Sequence, residues 1–344
     1  MVSTAHQPYR NIAIIRLSSL GDIIHTIPAF YLIRKHFPGS KISWFVEPVG
    51  ARLLENFMGI DEVIVINLKT RGLRNKLKEI RIIRKKYTRK FDLIIDFQGL
   101  LKSAIITRLL KSQSIGFHQK NLKEPLAGLF YRRTAEYFDE NKHVILKNMN
   151  LLQLIDIREE NIHYPLKKIK ESRKLLNFLK DRKLAINHFL LINIGGGWES
   201  KRLNTDQYIQ IVNRLKANYP VVILWGNDKE KMIARTVSRV TNTIMSFYTG
   251  FDDLIGFIQK ARLLISADTL ALHIADMVKT PSIGLFGPTN PLRNGSLLSE
   301  SISLYKKLPC GFCYKKKCDT IKCLTSITPN EIEEAVKKIY EKHN

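Results

Sequence analysis

Twice along this chain, short runs of strongly apolar residues alternate with helix-like stretches, and this limits the possible folds more than any other feature. In the first half the runs are residues 11–17 (NIAIIRL), 41–46 (KISWFV), 62–66 (EVIVI) and 92–96 (DLIID), with helical stretches such as 23–36 between them. Strands alternating with helices imply a parallel sheet covered on both faces. The pattern breaks at a polar, Lys-rich segment, 157–187, where a domain boundary is expected. It restarts with 189–194 (FLLINI), 221–225 (VVILW), 262–267 (RLLISA) and 281–286 (PSIGLF). The expected fold class is therefore α/β, with two doubly wound domains whose ligands bind in a cleft at the carboxyl ends of the strands. The expected boundaries are 1–165, 186–325 and a terminal helix at 328–344 that packs back on the N-terminal domain. Thr328-Pro329-Asn330-Glu331 marks that helix start: Thr as cap, Pro in the first position, Glu three residues after the cap.

A chain of 344 residues with 44% hydrophobic content has material for two cores. No apolar run approaches the roughly 18 residues of a membrane span. The polar start, residues 1–10, has no signal-peptide character, so a cytoplasmic location is expected. Lys and Arg number 56 against 31 acidic residues, a formal +25. This excess points to an anionic partner, or to codon bias that inflates lysine. Residues 69–90 hold eleven of the cations, with Leu73, Leu77, Ile80, Ile83 and Tyr87 at helical spacing. Such a helix either lies on an anionic membrane surface or packs its apolar stripe on its own domain. Nucleic acid is not an expected partner, because no recognised binding module is present.

Chemistry belongs at the ends of the strands. The first strand runs into Ser18-Ser19-Leu20-Gly21-Asp22 and a helix. Asp22 there is either a helix cap or a catalytic base. In the second half, 189–194 runs into Gly195-Gly196-Gly197, with the cation Lys201 just beyond, a candidate diphosphate cradle. The run 262–267 ends in Asp268-Thr269-Leu270, with His273 one turn on. A helix N-terminus of this kind suits a phosphate, the competing reading being Asp268 as a cap and His273 as a core residue. Trp225-Gly226 and Gly287-Pro288-Thr289 close neighbouring strands. No Asp-x-Asp triplet occurs. No catalytic metal is therefore expected, and charge neutralisation falls to Lys201, His273 and helix N-termini. Cys310, Cys313, Cys318 and Cys323 either close one structural zinc site or are plain reduced thiols.

Taken in order, three segments resemble the bacterial lipopolysaccharide heptosyltransferases (glycosyltransferase family 9), most closely the heptosyltransferase I branch. They are Ser18-Ser19-Leu20-Gly21-Asp22-Ile23-Ile24-His25-Thr26-Ile27-Pro28-Ala29, Asp96-Phe97-Gln98-Gly99-Leu100-Leu101-Lys102-Ser103-Ala104 and Lys123-Glu124-Pro125-Leu126-Ala127-Gly128-Leu129-Phe130-Tyr131-Arg132-Arg133. The resemblance continues through Lys201, Trp225-Gly226, Asp268-Thr269 and Gly287-Pro288-Thr289. It implies a GT-B fold and an inverting, metal-independent transfer of heptose from ADP-L-glycero-β-D-manno-heptose to Kdo on lipid A. The site of action would be the cytoplasmic face of the inner membrane. It further implies Asp22 as general base, and Lys201, Asp268, Thr269, His273, Gly196, Gly197, Trp225 and Gly226 on the donor side. Ser19, Gly21, Lys102, Lys123 and His143 would serve the acceptor. One position departs from the pattern: the family's Asp-Thr-Gly is Asp268-Thr269-Leu270 here.

Overall fold

The computed structural model describes residues 9–68, 72–169 and 172–341. By its contacts the chain divides into two units, Met1–Lys167 and Lys168–Asn344. Each is built on a six-stranded parallel sheet.

In the first unit the strands are β1 (Asn11–Ile15), β2 (Lys41–Val46), β3 (Glu62–Val65), β4 (Leu93–Asp96), β5 (Gln113–Gly116) and β6 (Arg133–Thr134). They lie in the order β3-β2-β1-β4-β5-β6. The central strands β1 and β4 are apolar at Ile12–Ile15 and Leu93–Ile95, because helices cover both faces of a parallel sheet. Ile12 pairs with Ile42 on one side and Leu93 on the other. At the edge, β3 alternates: Ile64 is buried while Val63 and Val65 are exposed. Helix Leu20–His36 is apolar on nearly all sides, so it is a core helix. Pro28 falls in its interior rather than in its first turn.

The second unit repeats the plan with β7 (Leu190–Asn193), β8 (Val221–Leu224), β9 (Ile244–Met245), β10 (Leu263–Ala267), β11 (Ser282–Phe286) and β12 (Ile302–Tyr305). Their order is β12-β11-β10-β7-β8-β9. Numbered from its own first strand, this is the same winding as the first sheet. In both, the strand order reverses beside the first strand: between β1 and β4, and between β7 and β10. Open sheets of this type bind ligands just past the strand ends at that reversal.

The boundary between the units falls inside the polar segment 157–187, which is partly structured. That segment contains helix Arg173–Asp181, which buries Leu175 and Leu179 in the second unit and stacks Phe178 edge-on against Phe257 at 5.4 Å. Its lysines and arginines masked an apolar stripe. The C-terminal helix, Pro329–Glu341, begins as its capping signal predicts: Thr328 N–H donates to Glu331 Oε2 and Glu331 N–H to Thr328 Oγ1. Its apolar stripe packs within the second unit, where the sequence suggests the N-terminal domain. Ile332, Ala335, Val336 and Ile339 join the core of the second unit with Val212, Leu215 and Val221. Arg214 of the neighbouring helix pairs with Glu333 at 2.5 Å. The stripe at i, i+3, i+4 and i+7 finds its partner close at hand.

Of the basic run, Lys69 and Arg71 lie outside the described residues. Helix Leu73–Tyr87 buries Ile83 and Tyr87 in the first unit's core, yet leaves Leu77 and Ile82 exposed. No helix among the described residues is long and apolar enough to cross a membrane.

Candidate active site

In the first unit, β1 ends beside β4 and the chain turns at Ser18 and Ser19 into helix Leu20–His36. Ser19 is the cap and Asp22 stands three residues on. Asp22 Oδ2 accepts from Ser19 N–H at 3.1 Å and Ser19 Oγ at 2.9 Å. Its other oxygen, Oδ1, pairs with Arg16 Nη2 at 2.8 Å. The capping role is therefore real, but it occupies one oxygen, and 40% of the side chain stays exposed. Arg16 is itself buried and donates to the Phe97 carbonyl. Gln98, at the end of β4, accepts from the N–H groups of Leu17 and Ser18 at 2.9 and 3.0 Å. The two strand ends flanking the reversal are thus tied together around Asp22.

Asp96 anchors this turn from below. It is fully buried and accepts from Gln98 N–H, Gly99 N–H and the Tyr131 hydroxyl at 2.8, 3.1 and 2.9 Å. Burial pushes its carboxyl above the ordinary range against those bonds. On the far side of Asp22 lies helix Val144–Leu151, capped by His143. His143 is buried edge-on to His25, with ring centres 5.6 Å apart. Lys147 of the same helix bonds the Asn121 carbonyl at 2.8 Å and Glu140 at 2.5 Å. Burial, then the positive charge of Arg16, lower Lys147 to about 8, while Asp22 acts in the opposite direction. Lys102 pairs with buried Glu47 at 3.2 Å, joining the ends of β2 and β4. Gly21 is half-buried in the first helical turn, and Lys123 is exposed on the surface between β5 and β6.

The second unit has its own site at the same point of its winding. Asp268 follows β10 and is almost completely buried. Its Oδ2 accepts from Lys201 Nζ at 2.8 Å and Asn294 Nδ2 at 3.1 Å, and its Oδ1 lies 3.2 Å from His273 Nε2. Burial alone would raise this carboxyl. The His273 hydrogen bond and the charge of Lys201 outweigh it and hold Asp268 well below the usual carboxylate range. Asp268 is thus no helix cap; that position belongs to Thr269. Thr269 Oγ1 bonds Asn193 Nδ2 at 3.1 Å and Ser266 Oγ at 2.9 Å. Among the described residues no side chain caps the N-terminus of helix Leu270–Met277, leaving an electropositive end suited to a phosphate. Leu270 occupies its first position, half-buried.

Lys201 gives two of its three donors to Asp268. Its ammonium also lies 4.3 Å from the Trp198 ring centre. The glycine turn is held by Glu230, a buried residue whose two oxygens accept from Gly196 N–H at 3.3 Å and Gly226 N–H at 2.8 Å. A Cβ on Gly196 would sit 2.4 Å from Arg202 Cγ, whereas Gly197 opens to free space. The Trp225 indole belongs to the core, its N–H bonded to the Ser246 carbonyl at 2.9 Å. It shapes the strand end rather than presenting a donor. The Thr289 hydroxyl, past the end of β11, is buried with no hydrogen-bond partner among the described residues. Beyond these, Cys310, Cys313 and Cys318 are exposed thiols and Cys323 is buried. Among the described residues no group of three or more His, Cys, Asp or Glu is arranged to hold a metal ion.

Arg16, Gln98, Lys147, Glu230 and Asn294 were missed by the sequence reading. Gln98 and Asn294 each precede a glycine, Gly99 and Gly295, while Arg16, Lys147 and Glu230 have no such neighbour to single them out.

The chain can now be compared with known proteins. The profile of glycosyltransferase family 9 (heptosyltransferase) matches residues 80–324, more than half the chain. Lipopolysaccharide heptosyltransferase 1 of Campylobacter coli is 27% identical over 344 residues, covering 96% of this chain and 98% of that protein. Lipopolysaccharide heptosyltransferase 1 of Pseudomonas aeruginosa is 28% identical over 329 residues, covering 89% and 87%. The solved structure of E. coli heptosyltransferase WaaC with ADP-2-deoxy-2-fluoro heptose superposes with a TM-score of 0.75 at 20% identity, covering 95% of this chain and 99% of that one. The two parallel sheets match the GT-B fold of such structures. The chain is therefore a glycosyltransferase, and it belongs to family 9, the lipopolysaccharide heptosyltransferases.

Proposed function

We propose that this enzyme transfers L-glycero-D-manno-heptose from ADP-heptose to Kdo of Kdo-lipid A, with inversion and without a metal. The observation that carries the reading is the Lys201–Asp268–His273 cluster beside an uncapped helix N-terminus. Such a site offers cations and backbone N–H groups to a diphosphate. The heptosyl and ADP parts are supported by the relatives' names and by the nucleotide sugar named with WaaC.

In this reading Asp22 takes the proton of the acceptor hydroxyl while its oxygen bonds to the anomeric carbon. The bond from that carbon to the diphosphate breaks, and its electron pair leaves with ADP. Inversion follows when the base and the leaving group act on opposite faces of the sugar. Arg16 pairs with Asp22 Oδ1 and fixes its direction. Lys201 and the helix after Thr269 receive the charge growing on ADP. Ser19, Gly21, Lys102, Lys123 and His143 serve the acceptor, and Gly196, Gly197, Trp225 and Gly226 border the donor. No cofactor is required.

The protein would work peripherally on the cytoplasmic face of the inner membrane. Exposed Leu77 and Ile82 on the basic helix, and exposed Leu126 and Leu129 near Lys123, support contact with an anionic lipid surface. Leu270 favours one second reading, a transfer within the same family from another nucleotide sugar or to another cell-envelope acceptor. A glycine there would let the diphosphate approach more closely.

The test is ADP release from ADP-heptose with Kdo-lipid A. Asp22→Ala should lower turnover by about 10²–10⁴ with ADP-heptose affinity retained. Turnover only with a different nucleotide sugar would refute the heptose assignment, and full activity of Asp22→Ala would refute the base.

A further inference from the structure

The first unit carries a second concave site that the reaction does not use. A cavity of about 420 Å³ is lined by Arg84, Arg89, Arg108, Leu109, Lys111 and Arg132. Five of these six are cations, and no carboxylate lines it among the described residues. It sits where helices Leu73–Tyr87 and Leu101–Leu109 end, which is the opposite end of the parallel strands from Asp22 and Gln98.

The convergence is fixed by backbone. Arg89 N–H donates to the Leu110 carbonyl at 2.8 Å, joining the two helix ends, and Arg132 N–H donates to the Ser114 carbonyl at 3.2 Å. Arg89 and Lys111 both take the left-handed conformation, with φ of 57° and 54°. Glycine or asparagine is the usual residue at such helix ends, yet this chain places a cation at each.

A helix C-terminus does attract positive charge, but only about half an elementary charge per helix. Two helix ends therefore offset roughly one of the five cations. The remainder repel one another unless an anion joins them. Guanidinium forks suit phosphate oxygens in paired hydrogen bonds. The volume lies in the range of small-molecule sites, about 300–1,000 Å³, so it accommodates more than a single ion. Among the described residues Leu109 is the only apolar wall, so a polar headgroup fits better than an acyl chain.

We propose that this cavity binds a phosphorylated headgroup, carried either by an anionic membrane lipid or by a soluble sugar phosphate. The proposal does not depend on which sugar the enzyme transfers.

The experiment compares the full-length protein with Arg108→Gln/Lys111→Gln, and with a control of equal charge change on exposed residues of the second unit, Arg235→Gln/Arg239→Gln. Titration calorimetry with inositol hexakisphosphate supplies the soluble phosphate arm. Co-sedimentation with phosphatidylcholine vesicles, with and without phosphatidylglycerol, supplies the lipid arm. The cavity variant should bind at least about tenfold more weakly in one arm, and the control should stay within about twofold of wild type. Loss in the vesicle arm assigns a lipid headgroup, and loss in the calorimetric arm alone assigns a soluble phosphate. Equal losses in both variants, or no saturable binding by wild type in either arm, would overturn the proposal. So would a DNA duplex that binds through these residues more tightly than either probe. If the cavity variant does not melt like wild type, Arg84→Gln/Arg132→Gln is measured in its place against the same criteria.

Discussion

Asp268→Asn isolates what the buried charge cluster of the second unit contributes. The substitution keeps the shape of the side chain and removes its charge. Lys201, only 12% exposed along its side chain, would then lack its carboxylate partner. Breaking a buried pair by neutralising one member costs about 3–5 kcal/mol, because the other charge stays desolvated. The second unit spans Lys168–Asn344. For a unit of that size each kcal/mol moves the melting midpoint by about 2–4 °C, so the expected loss is roughly 6–20 °C. Scanning calorimetry at neutral pH reads it directly. Adding Lys201→Met should recover most of the loss, since the stranded cation is gone, while ADP binding stays weak. The pH dependence has a definite sign. Asp268 is held below its ordinary value of 3.8. The wild-type advantage over Asp268→Asn is therefore fully present above that value and is lost as the pH falls further, through the folded-state value. A variant melting within about 2 °C of wild type, or an advantage that disappears between pH 5 and 7, would refute the reasoning.

Three further outcomes are expected. Thr289→Val should leave the melting midpoint nearly unchanged, because the buried hydroxyl makes no bond; ADP affinity measured by calorimetry should fall several-fold, and an unchanged affinity would remove the hydroxyl from the donor site. Lys147, lowered to about 8 from 10.5, binds its proton less tightly when folded; stability should therefore rise between those two pH values, and Lys147→Met should abolish that rise in pH-dependent urea melts. Thiol titration should find Cys310, Cys313 and Cys318 fast and Cys323 slow, whereas four protected thiols released together by a chelator, with stoichiometric zinc, would show a closed metal site instead.

Much of the architecture was legible in the order of residues. Runs such as IAII (12–15) and LLI (263–265) are apolar at consecutive positions, as in strands covered on both faces. The turns after them, rich in Ser and Gly, located Asp22, Gly196 and Asp268 at strand ends, and the winding of a parallel sheet makes those ends the ligand side. Thr328 and Glu331 announced the last helix because a capping box is local. What lay beyond reach was contact between distant segments. Gln98 reaches Leu17 across 81 positions, Asn294 reaches Asp268 across 26, and Glu230 ties Gly196 to Gly226. The glycines beside Gln98 and Asn294 do not name these partners, because a buried polar group is recognised by its partner rather than by its neighbours in sequence. The last helix shows the same limit: its capping box marks where it starts but not which core covers it. Sequence alone determined two parallel sheets and the strand ends that hold the candidate site residues. Tertiary structure decided which charges meet there, because the pairing energy of Arg16 with Asp22, or of Lys201 with Asp268, exists only once folding brings them within about 3 Å of each other and removes water from around them.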